Sequence, residues 1–188
     1  MSYKTETIGR TKWQFEVSCG AAMITRVSAN VSGDVIIPSM LGGVKVICAR
    51  LGSFEGCTKL QSVTIPDSLT AAVDSIEDAA NYGIDSHLFK DCTSLRTIKV
   101  SKRNPAYKSA NGLLLSKGGE TVVAAPRGLM NVKIPAGVNK IGEAAFKGCS
   151  RLKSVTLPDG VMVIEMEAFE GCISLENVVI PRSVRSIK

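Results

Sequence analysis

The chain of 188 residues carries a pattern that repeats with a period of 23 residues. The stretch EAAFKGCSRLKSVTLPDG (residues 143–160) returns as MEAFEGCISLENVVIPRS (residues 166–183). Phe, Gly, Cys, Leu, Val and Pro keep their places, whereas the charged residues between them change. A repeat of this length is one small structural unit, which buries its apolar face only by stacking on its neighbours. The period therefore predicts a solenoid.

The full pattern is F-x-G-C-x-x-L-x-x-V-x-I-P followed by V-x-x-I. Copies begin at Phe54, Phe89, Phe146 and Phe169, and half copies lie at DVIIPS (34–39) and GLMNVKIP (128–135). The distance from each Phe to the apolar residue before the proline position is always 11 residues, but the distance from there to the next Phe varies. The first half of the repeat is therefore the rigid half, and insertions belong to loops on one side.

Each conserved type of residue in the repeat has a structural reason. The V-x-I alternation predicts a short strand that a proline ends, and stacked strands complete one another's hydrogen bonds. The Phe is expected to fill the interior, and the glycine before Cys suits a tight turn, as does Asp91 in the second copy. Four cysteines share one slot, which predicts an interior ladder of thiols that donate weakly to turn carbonyls, with a redox pair as the alternative. These are Cys57, Cys92, Cys149 and Cys172.

Other segments depart from the repeat. The stretch WQFEVSCGAAMITRV (13–27) predicts a β-hairpin that caps the solenoid. A turn at Asn104-Pro105 and a hairpin around residues 117–120 predict a variant coil, and residues 71–80 form either a short helix or a further V-x-x-I half copy. We divide the chain into a tail and hairpin cap (1–33) and a solenoid (34–188) of about six coils, with the variant hairpin coil at 101–128 and an incomplete last repeat.

The outward positions of the predicted strands form a candidate binding face. Its side chains are small and polar, with two lysines at the centre: Ser62, Thr64, Thr97, Lys99, Asn131, Lys133, Ser154, Thr156 and Asn177. Val179 continues the row. Such a surface suits extended recognition by hydrogen bonds. The alternative is a solvated face whose residues are merely compatible with strands.

Positive charge is concentrated in the middle of the chain. The net charge is +6, made up of −2 for residues 1–89, +10 for residues 90–153 and −2 for residues 154–188. The basic cluster adds Lys102, Arg103, Lys108, Lys117, Arg127, Lys140, Lys147, Arg151 and Lys153. It predicts either a solvated surface or a site for a polyanion such as an acidic glycan. Nucleic acid is disfavoured because Tyr107 is the one aromatic residue among these cations.

Several function classes lack their sequence signals. Asp85-Ser86-His87 contains the residue types of a catalytic triad, but consecutive side chains do not converge as a triad must, so we expect a loop beside Phe89 and no enzyme. The single His and the absence of C-x-x-C disfavour a zinc site, and no cofactor motif occurs. No apolar run is long enough for a membrane span, and the N-terminus lacks a signal peptide's apolar core.

The stretch IPAGVNKIGEAAFKGCSRLKSVTLP (134–158) resembles the repeat of BspA-like leucine-rich repeat proteins, the Treponema pallidum type, and the resemblance extends over about residues 13–188. It implies a curved, right-handed, β-rich leucine-rich repeat solenoid of short parallel strands with few or no helices. It further implies a bacterial cell-surface or secreted protein that binds proteins or other macromolecules in adhesion or host interaction, without catalysis or cofactors. A structural spacer within a larger surface protein is the alternative.

The repeat is cut short at the C-terminus, since the next Phe falls due at position 192. Either the chain is a fragment, or Arg182, Arg185 and Lys188 form a polar cap. An open solenoid end exposes strand edges, so we expect this terminus to be mobile or to associate with another copy.

Overall fold

The computed structural model describes residues 3–74 and 83–188, which form eighteen strands and one 3-10 helix (Ser86–Phe89). The strands are β1 (Lys4–Ile8), β2 (Thr11–Ser18), β3 (Ala21–Val27), β4 (Ser32–Ile36), β5 (Met40–Leu41), β6 (Val44–Ala49), β7 (Lys59–Ile65), β8 (Ala71–Ala72), β9 (Thr97–Val100), β10 (Tyr107–Ala110), β11 (Leu113–Ser116), β12 (Thr121–Ala124), β13 (Asn131–Lys133), β14 (Lys140–Ile141), β15 (Ser154–Thr156), β16 (Val163–Ile164), β17 (Asn177–Val179) and β18 (Ser186–Ile187). The predicted class, a β-rich solenoid with an N-terminal hairpin, is confirmed.

The N-terminal hairpin joins directly onto the solenoid. Strands β1, β2 and β3 pair antiparallel in order, and β3 then pairs parallel with β6, which pairs parallel with β8. The β2–β3 turn is Cys19-Gly20, and both residues have positive φ angles (50° and 74°), as a two-residue hairpin turn requires. Trp13 on β2 is buried and meets the first repeat phenylalanine, Phe54, at a ring distance of 6.0 Å.

The V-x-I segments form two parallel ladders, β4-β7-β9 and β13-β15-β17. Their inward residues are in register, with Val63 opposite Val35 and Ile98 in the first ladder. In the second ladder, Val155 lies opposite Val132 and Val178. The V-x-x-I segments form a further parallel run, β14-β16-β18, which begins on β12 of the variant coil. Each coil thus contributes one short strand to each of two ladders, as the two halves of the repeat predict.

The F-x-G-C segments form tight turns that stack along the solenoid. Phe54, Phe89 and Phe146 are buried, and Phe146 stacks on the half-buried Phe169 at 5.1 Å. The residue before each Cys has a left-handed backbone, with φ angles of 73°, 70° and 72° at the three glycines and 58° at Asp91. The expectation that aspartate replaces glycine in this turn is confirmed.

The variant coil consists of two hairpins that divide the apolar core. Strands β10 and β11 pair antiparallel, as do β11 and β12. Leu114 packs into the core on the N-terminal side, whereas Leu113 and Leu115 pack into the core on the C-terminal side. Strand β11 therefore presents alternate side chains to two cores and joins them.

Two predictions about irregular segments need correction. Ala71 and Ala72 form strand β8 and not the start of a helix, because they pair with Cys48 and Ala49 of β6. The rest of the candidate helix, residues 75–80, lies outside the described residues. Residues 86–89 form a 3-10 helix rather than a loop, since the Asp85 carboxylate accepts a hydrogen bond from the His87 backbone N–H at 2.7 Å.

The C-terminal strands continue the ladders. Strand β18 pairs with β16, and the Lys188 side chain forms an ion pair with Glu165 at 2.8 Å. Several large apolar residues of this last coil are exposed: Ile173, Val179, Ile180 and Ile187. Self-association through this coil stays a prediction.

Candidate binding face

The outward side chains of the two V-x-I ladders form two rows, which together we call the ladder face. The inner row runs from Asp34 through Ser62 to Thr97 on the first ladder. On the second ladder it runs through the three residues Asn131, Ser154 and Asn177. The Ser154 hydroxyl donates to the Asn131 amide oxygen at 2.7 Å, while Asn131 and Asn177 are exposed.

From either end of the outer row toward its centre, the residues are a β-branched apolar residue, a threonine and a lysine. On the first ladder it reads Ile36, Thr64, Lys99, and on the second it reads Lys133, Thr156, Val179. Ile36 is 73% exposed and Val179 is 77% exposed. Two lysines in the same repeat slot therefore lie at the centre, each followed outward by a threonine and then by an exposed β-branched apolar residue.

A turn of the variant coil joins the two ladders. Asn111 and Gly112 connect β10 to β11, and both have positive φ angles (51° and 77°). The Ile98 N–H of β9 donates to the Gly112 carbonyl at 2.9 Å, and the Asn111 amide donates to the Lys133 carbonyl of β13 at 3.0 Å. The turn thus takes the place of a strand between β9 and β13, so the two ladders form one surface.

Most of the predicted face residues lie at the surface, with one exception. Lys99, Asn131, Lys133, Thr156 and Asn177 are exposed. Thr64, Thr97 and Ser154 are half-buried. Ser62 is only 6% exposed. Its short side chain lies between the flanking strands β4 and β9, so the prediction that it is available at the surface is wrong.

Three residues of the face were absent from the sequence prediction. Asp34 and Ile36 occupy the outward positions of the half copy DVIIPS, and the same alternation that identified the other strands would have found them. Asn111 was read as part of a variant coil, although Asn-Gly between apolar runs is the strongest short hairpin signal. Asp34 also places a carboxylate oxygen 3.7 Å from the Lys99 ammonium, so charge on this ladder is partly balanced.

Much of the basic middle third is neutralised by neighbouring groups. Arg103 pairs with Asp67, Lys140 with Glu165, and Lys147 with both Glu167 and Glu170. The pKa of Lys147 is raised because Glu167 and Glu170 accept its hydrogen bonds. Lys117 donates to the carbonyls of residues 102 and 104, and Lys108 donates to the carbonyl of residue 118. Within residues 3–74 and 83–188, no ion pair involves Lys102, Lys133, Arg151 or Lys153.

The four repeat cysteines form the predicted interior ladder. The Cys92 thiol donates to the Phe54 carbonyl at 3.1 Å, and the Cys172 thiol donates to the Phe146 carbonyl at 3.2 Å. The four ladder cysteines are free thiols; of the other two, Cys19 is exposed and Cys48 is buried. Burial raises the pKa of the Cys149 thiol to about 12. A protonated, buried thiol is a poor nucleophile, which favours the structural interpretation over the redox one at Cys149.

The Ser86 hydroxyl does not hydrogen-bond to His87, as a catalytic triad requires. The Asp85 carboxylate caps the 3-10 helix and lies 3.4 Å from His87 Nδ1. The Ser86 hydroxyl is buried without a hydrogen-bond partner. In the described part of the chain, no three His, Cys, Asp or Glu residues are grouped as a metal site would need. Over the same residues, no helix is long and apolar enough to cross a membrane.

Short parallel strands, stacked Phe-x-Gly-Cys turns and a ladder face together define the class of leucine-rich repeat solenoids. Within that class, six copies of the BspA-type leucine-rich repeat match residues 45–106 and 125–188. The chain belongs to the BspA-type leucine-rich repeat family.

Three solved structures of bacterial leucine-rich repeat proteins are similar to this chain. The Treponema pallidum leucine-rich repeat protein is 25% identical with a TM-score of 0.50, and the match covers 87% of this chain and 77% of that one. A leucine-rich cell surface protein from Faecalibacterium prausnitzii is 26% identical with a TM-score of 0.53. That match covers all of this chain, which spans about half of the other (51%).

A leucine-rich repeat protein from Eubacterium ventriosum is 16% identical with a TM-score of 0.54, and the match covers 100% of this chain and 68% of that one. At this identity the similarity concerns the fold alone. A search among proteins of curated function finds no match.

Proposed function

We propose that the chain is a non-catalytic scaffold that binds a protein through the ladder face. The outer row carries the proposal, because Ile36, Lys99, Lys133 and Val179 are all exposed along one bridged surface. Exposed large apolar side chains on a rigid surface suit contact with a protein, and the lysines between them favour a partner of opposite charge. The partner expected from this order of residues has an acidic centre with apolar groups on both sides.

Family membership supports this proposal in general terms. Repeat solenoids offer extended surfaces on a rigid frame, and such surfaces suit macromolecules better than small substrates. The similar Faecalibacterium prausnitzii structure is described as a cell surface protein. We propose an extracellular or cell-surface location for this chain as well, with a role in adhesion or host interaction. The buried Ser86 hydroxyl and the capping role of Asp85 support the absence of a catalytic triad.

The test is binding of the chain to a panel of extracellular-matrix proteins, mucins and sulfated glycans at low and high salt. We expect saturable binding to a protein member and at least a tenfold loss of affinity in the double variant Lys99→Glu, Lys133→Glu. The matched control reverses two exposed lysines on other strands, Lys12→Glu on β2 and Lys45→Glu on β6, and keeps the affinity within about twofold.

Three other outcomes would count against the proposal. Equal loss in both double variants would indicate general charge attraction, as expected for a polyanion, and not recognition by the ladder face. Binding to sulfated glycans alone would support the same alternative. No binding to any panel member would favour a spacer that only projects other domains.

Self-association is a separate proposal for the last coil. Val179 and Ile187 are exposed apolar residues on its two strands, β17 and β18. Sedimentation of the chain should show a concentration-dependent dimer that the double variant Val179→Lys, Ile187→Lys abolishes. A monomer at all concentrations would contradict it.

A further inference from the structure

The stack of Phe-x-Gly-Cys turns is interrupted at the variant coil. In the N-terminal part, the Gly56 N–H donates to the Lys90 carbonyl at 3.0 Å, and in the C-terminal part, the Gly148 N–H donates to the Glu170 carbonyl at 2.7 Å. Among the described residues, no backbone hydrogen bond joins the Lys90 turn to the Lys147 turn. The variant coil between them has no such turn, because β12 ends at Ala124 and the chain continues as Ala-Pro-Arg-Gly.

Arg127 lies at the level of the missing turn. The carbonyl of the preceding residue, Pro126, lies 3.8 Å from the Cys149 thiol. In the other coils the Phe54 carbonyl accepts from the Cys92 thiol, and the Phe146 carbonyl accepts from the Cys172 thiol. Pro126 therefore occupies the place of a repeat phenylalanine. A Cβ atom on Gly148 would clash with Arg127 Nη1. The arginine side chain therefore crosses directly over the Gly148 turn, and only glycine leaves room for it there.

The interruption forms a cleft of about 440 Å³ with basic walls. Its ionisable lining residues are His87, Lys90, Arg127, Lys147 and Glu170. Three of them are cationic side chains and one is a carboxylate. The volume lies within the range of small-molecule sites and exceeds what a bare inorganic anion fills.

Arg127 is the one cation of the cleft that has no counter-ion among the described residues. Lys90 pairs with Glu55 at 2.5 Å, and Lys147 pairs with Glu167 at 2.6 Å and Glu170 at 2.8 Å. Arg127 is 7% exposed, and its Nε–H is buried without a hydrogen-bond partner. Because a guanidinium stays charged at all ordinary pH values, a buried and unpaired one is costly until an anion binds it.

We propose that this cleft binds a tetrahedral oxyanion, a phosphate or sulfate group, with Arg127 as the principal ligand. The guanidinium offers planar paired donors that match two oxygens of such a group. Lys90 and Lys147 line the same cleft, and their ammonium groups, which pair with glutamates, would add attraction for the bound anion. Because Glu55, Glu167 and Glu170 balance the two lysines, Arg127 supplies the uncompensated positive charge, and Glu170 disfavours a ligand that carries a further negative group. The site is separate from the ladder face and does not depend on its function.

The test follows the Nε–H signal of Arg127 by NMR while sodium sulfate or sodium phosphate replaces sodium chloride at constant ionic strength. The signal is assigned by its absence in Arg127→Met. We expect a saturable shift of this signal, and at least a tenfold weaker affinity in Arg127→Met, measured by calorimetry. Lys90→Gln, which changes a side chain at the surface, should weaken binding about threefold to tenfold.

The control is Arg151→Met, which removes an exposed arginine outside the cleft and should leave the affinity within about twofold. A second arm compares N-acetylglucosamine 6-sulfate with unsulfated N-acetylglucosamine. Tighter binding of the sulfated sugar than of inorganic sulfate would identify a glycan sulfate as the source, and the reverse order would identify the free anion. A shift that does not saturate, or an affinity equal in Arg127→Met and the unmodified chain, would overturn the proposal.

Discussion

The thiol of Cys92 donates a hydrogen bond to the backbone carbonyl of Phe54, with the sulfur and oxygen 3.1 Å apart across 38 residues of sequence. Both residues belong to the same repeat segment in successive coils, so this bond ties one tight turn to the next. The thiol is small enough for the crowded interior and is a second donor to a buried carbonyl, which also accepts from the Cys57 N–H at 3.2 Å.

Removal of this thiol should destabilise the solenoid. We expect Cys92→Ala to lower the free energy of unfolding by about 1–2 kcal/mol, because it removes one of the two donors to a buried carbonyl and opens a small cavity. Urea denaturation measures the change. Cys19→Ala removes an exposed thiol and serves as the control, with a change within about 0.5 kcal/mol. Equal effects of the two substitutions would contradict a structural role for the thiol ladder.

Buried thiols also predict a loss of stability in alkali. The pKa of Cys149 is raised by burial from its ordinary value of 9.0 to about 12 in the folded chain. The unfolded chain therefore releases this proton first as the pH rises. The stabilisation is fully present below pH 9 and is lost between pH 9 and about pH 12.

Urea denaturation of the reduced chain at about pH 8 and about pH 10 measures this effect. The unmodified chain should lose up to about 1.4 kcal/mol more than Cys149→Ser for each pH unit above the ordinary thiol pKa. A pH dependence identical in the two proteins would show that Cys149 does not contribute.

Asn104 joins two coils through all of its side-chain hydrogen-bonding groups. Its amide nitrogen donates to the Pro66 carbonyl at 2.7 Å and the Leu69 carbonyl at 2.9 Å. Its amide oxygen accepts from the N–H groups of Ala106 and Tyr107. The side chain is fully buried.

We expect Asn104→Asp to destabilise the chain by about 3–5 kcal/mol near neutral pH, since a buried carboxylate would face two carbonyl oxygens. Thermal and urea denaturation measure the loss, which should shrink in acid as the carboxylate is protonated. Asn177→Asp makes the same chemical change at an exposed position and should alter stability by about 0.5 kcal/mol or less. A mild effect at Asn104 would show that the variant coil is not fixed by this residue.

The turn that joins the two ladders depends on Gly112. This residue has a φ of +77°, and an added Cβ would lie 3.0 Å from the Arg96 carbonyl oxygen. Gly112→Ala should cost about 2–4 kcal/mol, from the left-handed backbone and from the displaced carbonyl. Gly9→Ala is a matched control, since Gly9 has a φ of +61° and nothing within 4 Å of an added Cβ. If the two substitutions cost the same in urea denaturation, the turn does not pack against β9.

Much of the fold follows from the repeat because its residues act through neighbours at a fixed spacing. The burial of Phe146, the interior place of Cys149 and the left-handed backbone of Asp91 all follow from residue type and position in the period. Residue type and position in the period do not predict contacts between coils of different kinds. The burial of Ser62 depends on β4 and β9, and the crossing of Arg127 over Gly148 depends on a missing turn.

The ladder face was predicted in outline but not in its continuity. Strand alternation identified Lys99 and Lys133 as outward residues, because each lies between two inward apolar residues. Whether their two strands form one surface depends on what fills the space between them. In the structure, the hydrogen bond from the Asn111 amide to the Lys133 carbonyl joins the two ladders. Asn111 belongs to the variant coil, which does not follow the 23-residue repeat, so the repeat does not predict this bond.

The most direct test of the account is to find which side of the solenoid touches the protein partner. A photo-crosslinking amino acid is placed at position 156 on the ladder face or at position 45 on β6, and each chain is illuminated with the panel protein that binds best. We predict at least tenfold more crosslinked product from position 156 than from position 45. Equal yields, or more product from position 45, would contradict recognition by the ladder face.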